Sequence, residues 1–133
     1  MKPLLLDLFC GAGGATRGYR NAGFYVVGVD IAPQPNYCGD EFHQADALEF
    51  LIGNFTKWNA IHASPPCQAH TTLAKGNNNN TADYPDFIEA TRALLQMVGK
   101  PYVIENVPSA PLFDPITLCG EMFGLRGDPA SAV

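Results

Sequence analysis

Two short segments hold the side chains best able to make and break covalent bonds. Ser64-Pro65-Pro66-Cys67-Gln68 sets a thiol directly behind two prolines, whose rings fix the backbone and leave a nucleophile little freedom to lose. A thiolate there is suited to attack an electrophilic carbon, with a reactivity set by a lowered pKa. The competing reading is a buried, inert thiol, the common state of a free cysteine. A Pro-Cys-Gln loop is poorly suited to core packing, so the functional reading is favoured. The second segment is Glu105-Asn106-Val107, whose carboxyl either serves as an acid toward a substrate ring or forms a strand-end salt bridge.

A third segment, Asp7-Leu8-Phe9-Cys10-Gly11-Ala12-Gly13-Gly14, has the glycines of a sharp turn that lets a ligand approach the backbone and the start of the next helix. It matches Gly-x-Gly-x-x-Gly only in part, because Thr16 stands where the third glycine belongs, and a tight turn without a ligand is the alternative. Asp30, seventeen residues after Gly13, can accept hydrogen bonds from both ribose hydroxyls of an adenosine-bearing cofactor or can cap a turn. Asp46 can accept from an adenine amino group, cap a helix, or do both. His43, His62 and His70 lack metal-ligand spacing and read as structural or solvent-facing residues. The polar stretch from Ala69 to Tyr84, with four consecutive asparagines, is either a lid over a substrate or a disordered surface connection, and its composition leans toward the latter.

Positioning these groups requires alternating strands and helices. Pro3–Phe9, Phe24–Ile31, Phe42–Ala45, Trp58–Ala63 and Pro101–Glu105 read as strands, the longer ones apolar on both faces as in a buried parallel sheet. Thr16–Asn21, Asp46–Ile52 and Pro85–Val98 read as helices, the first closed by Gly23. Such βα units build a doubly wound α/β fold, which binds ligands at the carboxyl ends of its strands. The glycine turn, Asp30, Asp46, Ser64 to Gln68 and Glu105-Asn106 all fall there.

Length and charge narrow the field. The 133 residues suffice for one domain with a real core, and 47% hydrophobic against 16% charged residues describe an ordinary globular chain. A net charge of −5 opposes tight duplex-DNA binding by this chain alone, because phosphate neutralisation supplies most sequence-independent affinity. There is no eighteen-residue apolar run and no signal-peptide pattern, which leads us to expect a cytoplasmic protein with no membrane role. The four cysteines show no Cys-x-x-Cys pair, so reduced thiols and no metal are expected.

The ordered set DLFCGAGG, the acid of GVDI, the aspartate of QADA, PPCQ and ENV resembles the cytosine-5 DNA methyltransferases over about residues 3 to 107. The resemblance implies a Rossmann-like S-adenosylmethionine-dependent methyltransferase fold with strand order 3-2-1-4-5. It implies that Asp7, Phe9, Gly11, Gly13 and Pro66 line a pocket for S-adenosylmethionine. Asp30 would hold the ribose, Ile31 pack on the adenine and Asp46 read its amino group. Cys67 would be the nucleophile and Glu105 its partner, with Gln68 and Asn106 toward the substrate, a cytosine flipped out of duplex DNA. Residues 1–107 would form the cofactor-binding and catalytic core, and residues 108–133 an irregular proline-rich segment. The family continues past ENV with further strands and a basic target-recognition domain. Here Arg126 is the only basic residue after Lys100. The expectation is therefore a truncated or split enzyme core that needs a second chain for target recognition. The alternatives are a non-catalytic cofactor-binding or interaction module and, disfavoured by PPCQ and ENV, a nicotinamide-dependent oxidoreductase.

Overall fold

Apolar runs punctuated by glycine and proline become the strands. The structure, a computed structural model, describes residues 1–66 and 87–124. Its strands are β1 (Leu4–Leu8), β2 (Tyr25–Asp30), β3 (Glu41–Gln44), β4 (Ala60–Ala63) and β5 (Tyr102–Ile104). All pairings are parallel and the order is β3-β2-β1-β4-β5, the order the resemblance implies. The helices are α1 (Gly14–Asn21), α2 (Ala47–Gly53) and α3 (Phe87–Val98). α1 opens two residues before the expected Thr16, because Gly13, at φ 100°, turns the chain directly into the helix.

Register decides which side chains share a face. Asp7 of β1 lies between Gly28 of β2 and His62 of β4, and His62 lies beside Val103 of β5. This face is covered by α1, whose Thr16 and Tyr19 side chains bond Asp7 and His62. On the opposite face, Leu6, Leu8, Val27, Val29, Ile61 and Ala63 pack with Ala47 and Leu51 of α2, Trp58, and Leu95 of α3. Each large aliphatic side chain sealed there contributes roughly 1.5–3 kcal/mol from burial, so this apolar face holds the main core. The α1 face is more polar, and its buried Asp7, Thr16 and His62 all require partners.

Past Asn106 the described chain forms no strand and only a 3-10 turn, Gly120–Phe123. Arg92, 5% exposed on α3, ties this segment down: its guanidinium donates to the Glu89 carboxylate at 2.5 Å and the Pro111 carbonyl at 2.6 Å, and stacks over Phe113. Phe113, Ile116, Leu118, Met122 and Phe123 are exposed, as are Tyr102 and Val103 on the edge strand β5. Among the described residues no helix is long and apolar enough to cross a membrane.

Candidate functional site

The turn after β1 is built from left-handed backbone. Phe9 (φ 57°), Gly11 (φ 53°) and Gly13 (φ 100°) all adopt it, and the Gly13 N–H closes the turn on the Cys10 carbonyl at 3.1 Å. The conformation at Phe9 breaks the strand alternation and sends its ring to the α3 side, edge-on to Phe87 at 6.3 Å. Among the described residues nothing lies within 4 Å of where a Cβ on Gly11 would project. Asp30 is drawn against it. Its Oδ2 accepts the Gly11 N–H at 2.9 Å and its Oδ1 accepts the Ala32 N–H at 3.0 Å. A carboxylate oxygen accepts more than one bond, so this carboxylate is aimed but not exhausted. Ile31 beside it is 72% exposed. Asp46 caps α2, with Oδ1 accepting from Leu48 and Glu49 N–H at 3.0 Å each, and neither bond uses Oδ2.

Asp7, which the resemblance places toward the cofactor, is 1% exposed and its Oδ2 accepts the Thr16 hydroxyl at 2.5 Å, so its carboxylate lies inside the fold and supports the turn from beneath. Burial raises its carboxyl above the ordinary 3.8; the Thr16 hydrogen bond and the facing His62 oppose that rise and Glu105 adds to it. The threonine in place of a third glycine is thereby explained: it supplies a donor to a buried acid. The Tyr37 hydroxyl lies 3.1 Å from the same Thr16 oxygen, and its ring lies where a Cβ on Gly28 or Gly39 would project. Cys10, Cys38 and Cys119 are free thiols. Burial pushes the Cys10 thiol up to about 12, with Asp7 and Asp30 adding to the effect, so it is a poor nucleophile.

The ends of β4 and β5 meet. Glu105 N–H donates to the Ala63 carbonyl at 3.0 Å, extending the ladder, and the Ser64 hydroxyl donates to Glu105 Oε2 at 2.9 Å. Asn106 Nδ2 donates to the Pro65 carbonyl at 2.8 Å, which joins the Pro65-Pro66 segment to the residue after Glu105. Pro65 is buried and Pro66 exposed. Behind Ser64, His62 Nε2 lies 3.0 Å from its Oγ, and His62 Nδ1 lies 2.9 Å from the Tyr19 hydroxyl. Burial lowers the His62 pKa, against the pull of Asp7 and Glu105, and burial raises that of Tyr19.

Cys67, Gln68, His70 and the whole stretch Ala69 to Tyr84 lie outside the described residues. His43 is half-buried and lies against the Glu41 carboxylate at 3.0 Å. Tyr19 and His62 were not singled out for a site by sequence reasoning, and Ser64 only as the start of the Ser64-to-Gln68 segment. The signal available was the two-residue spacing of His62 and Ser64, which sets both on one side of the extended chain at the end of β4. Among the described residues no group of three potential ligands could hold a metal.

Fold and site together define a doubly wound, Rossmann-like α/β protein with a glycine turn, an aimed carboxylate and a held glutamate at the carboxyl edge of its sheet. No protein-family model matches the chain. A type II methyltransferase of Fusobacterium nucleatum, M.FnuDI, is 29% identical over 109 residues, which span 77% of this chain and 32% of that protein. The chain thus spans about a third of the length of this curated relative. Among solved structures, a SAM-dependent methyltransferase from Archaeoglobus fulgidus is similar with a TM-score of 0.48 at 17% identity, covering 74% of this chain and 61% of the other. A D-isomer specific 2-hydroxyacid dehydrogenase family protein from Aeromonas salmonicida reaches 0.45 at 16% identity, covering 84% and 40%.

Proposed function

We propose that the chain is the cofactor-binding and catalytic part of a methyltransferase that uses S-adenosylmethionine to methylate carbon 5 of cytosine in DNA. The observation that carries this reading is the meeting of Glu105, Ser64, Pro65 and Asn106 at the same sheet edge as the Asp30-buttressed glycine turn. The likeness to a type II methyltransferase supports it. The residues present fit the cofactor. No described residue crowds Gly11, Asp30 keeps acceptor capacity for hydroxyls, exposed Ile31 offers an apolar surface to a base, and the cap bonds of Asp46 leave Oδ2 to accept from an amino group. Bound there, S-adenosylmethionine supplies an electrophilic methyl group on a sulfonium.

The chain's own groups make the acceptor reactive. Carbon 5 of cytosine is too weak a nucleophile as it stands. Addition of the Cys67 thiolate at carbon 6 forms a C–S bond and turns the ring into an enamine, while Glu105 donates to ring nitrogen 3 and stabilises the charge that develops there. After methylation, loss of the carbon 5 proton expels Cys67 and restores the aromatic ring. In this reading a target-recognition module, on the same chain or another, supplies the phosphate and base contacts that a net charge of −5 does not favour.

Calorimetric titration of the chain with S-adenosylmethionine tests the first part. Binding that is lost in Asp30→Ala is expected, and no heat from folded protein would refute it. Transfer of radiolabelled methyl to DNA, with covalent trapping on 5-fluorocytosine that disappears in Cys67→Ser, tests the second. Cofactor binding without transfer or trapping, alone and with added recognition modules, would instead identify a non-catalytic binding module.

A further inference from the structure

An exposed glutamate ordinarily samples several rotamers and carries its proton on either oxygen. Glu105 is placed otherwise. Its Oε2 is 2.9 Å from Ser64 Oγ, that oxygen is 3.0 Å from His62 Nε2, and His62 Nδ1 is 2.9 Å from the Tyr19 hydroxyl. The four side chains form one file from α1, through β4, to the end of β5. His62 is 5% exposed, and both its ring nitrogens are engaged in this file.

A neutral imidazole in such a file has two consistent arrangements. If Nε2 carries the hydrogen, Tyr19 O–H donates to Nδ1, Nε2–H donates to Ser64 Oγ, and the Ser64 hydroxyl donates to Oε2; every bond then points at Glu105. If Nδ1 carries it, every bond reverses, Ser64 donates to His62, and Oε2 meets Ser64 Oγ favourably only when Oε2 itself is protonated. The first arrangement therefore keeps the proton of a protonated Glu105 on Oε1, the oxygen away from Ser64. We propose that Tyr19, His62 and Ser64 are positioning residues that hold Glu105 by Oε2 and direct its proton to Oε1, facing the substrate ring.

This rests on the methyltransferase reading for its purpose but not for its geometry. The surroundings favour it. The groups facing His62 are Tyr19 from α1, Asp7 from β1, and Ser64 and Glu105 at the strand ends. Burial keeps the imidazole neutral and the phenol protonated. Ser64 has a fixed backbone, since its N–H donates to the Leu8 carbonyl at 3.1 Å and Asn106 holds the next residue.

Two measurements on the full chain test the proposal. Nitrogen-15 NMR of histidine-labelled protein should give His62 as the Nε2–H tautomer, with the preference lost in Ser64→Ala; an Nδ1–H tautomer overturns the proposal whatever the chain methylates. In methyl-transfer assays Ser64→Ala should lower kcat up to about 100-fold, the scale for misplacing a reacting group by about an ångström. Its affinity for S-adenosylmethionine should not change, and Ser64→Thr, which keeps the hydroxyl, should recover most of the rate. Full activity in Ser64→Ala, or no recovery in Ser64→Thr, overturns the positioning role. A wild-type chain that shows the Nε2–H tautomer but transfers no methyl group, alone or with an added recognition module, refutes the catalytic reading and supports the direction of the hydrogen bonds.

Discussion

Replacing Thr16 by valine removes one hydroxyl and almost no volume, and the structure fixes what should follow. Thr16 is fully buried and its hydroxyl donates to Asp7 Oδ2 at 2.5 Å; Asp7 is 1% exposed. A hydrogen bond to a charged group contributes about 1.5–3 kcal/mol and one between neutral groups about 0.5–1.5 kcal/mol. The cost of Thr16→Val should thus depend on whether Asp7 is ionised. Burial already raises the folded-state pKa of Asp7, and the Thr16 bond opposes the rise. Between the unfolded and folded pKa values the native state binds more protons than the unfolded one, so this group's contribution to stability falls as pH increases. Without Thr16 the folded pKa climbs further and the fall extends to higher pH. The deficit of the variant should therefore be about 1 kcal/mol where Asp7 is protonated and widen toward 2–3 kcal/mol where it is ionised. At roughly 4 °C per kcal/mol this is readily measured. Urea unfolding of both proteins at a series of pH values from below the ordinary carboxylate range upward, as far as both stay folded, supplies the differences. A deficit that stays constant or narrows with rising pH would refute the assignment of Asp7 as a buried acid stabilised by Thr16.

Other outcomes follow from the same packing. Gly28→Ala puts a methyl group against the Tyr37 ring and should cost about 1–3 kcal/mol in thermal or urea unfolding, with most of the loss absent on a Tyr37→Ser background; additive losses would contradict it. Asp46→Ala should cost about 1 kcal/mol through loss of the α2 cap, whereas Asp46→Asn should retain most of that stability. His62 has a lowered folded-state pKa, so the unfolded chain binds more protons as pH falls below about 6.5, and stability should drop there by at most about 1.4 kcal/mol per pH unit. Unfolding titrations of His62→Gln should lack that component, and an unchanged acid slope would count against a buried neutral imidazole.

Much of this architecture can be read along the chain. Strands apolar on both faces, helices between them and proline or glycine at their ends specify a parallel α/β sheet, since each local preference agrees with the global arrangement. Asp30, Asp46 and Glu105 were legible because such sheets expose polar residues at the carboxyl ends of their strands. The spacing of His62 and Ser64 was also legible, as one side of an extended chain. Their partners were not. Tyr19 and Glu105 lie 43 and 41 residues from the groups they bond, and helical crossovers with sheet register bring them together. The same limit explains Asp7. Nothing in the residues around the glycine-rich turn shows that this carboxylate is buried, and only the seating of α1 on β1 brings the Thr16 hydroxyl to it. Sequence alone thus determined which elements form and which polar residues reach the sheet's edge, because those follow from local periodicity. Tertiary structure decided which of those residues meet and which are buried, because hydrogen bonds and desolvation depend on neighbours far away in the chain.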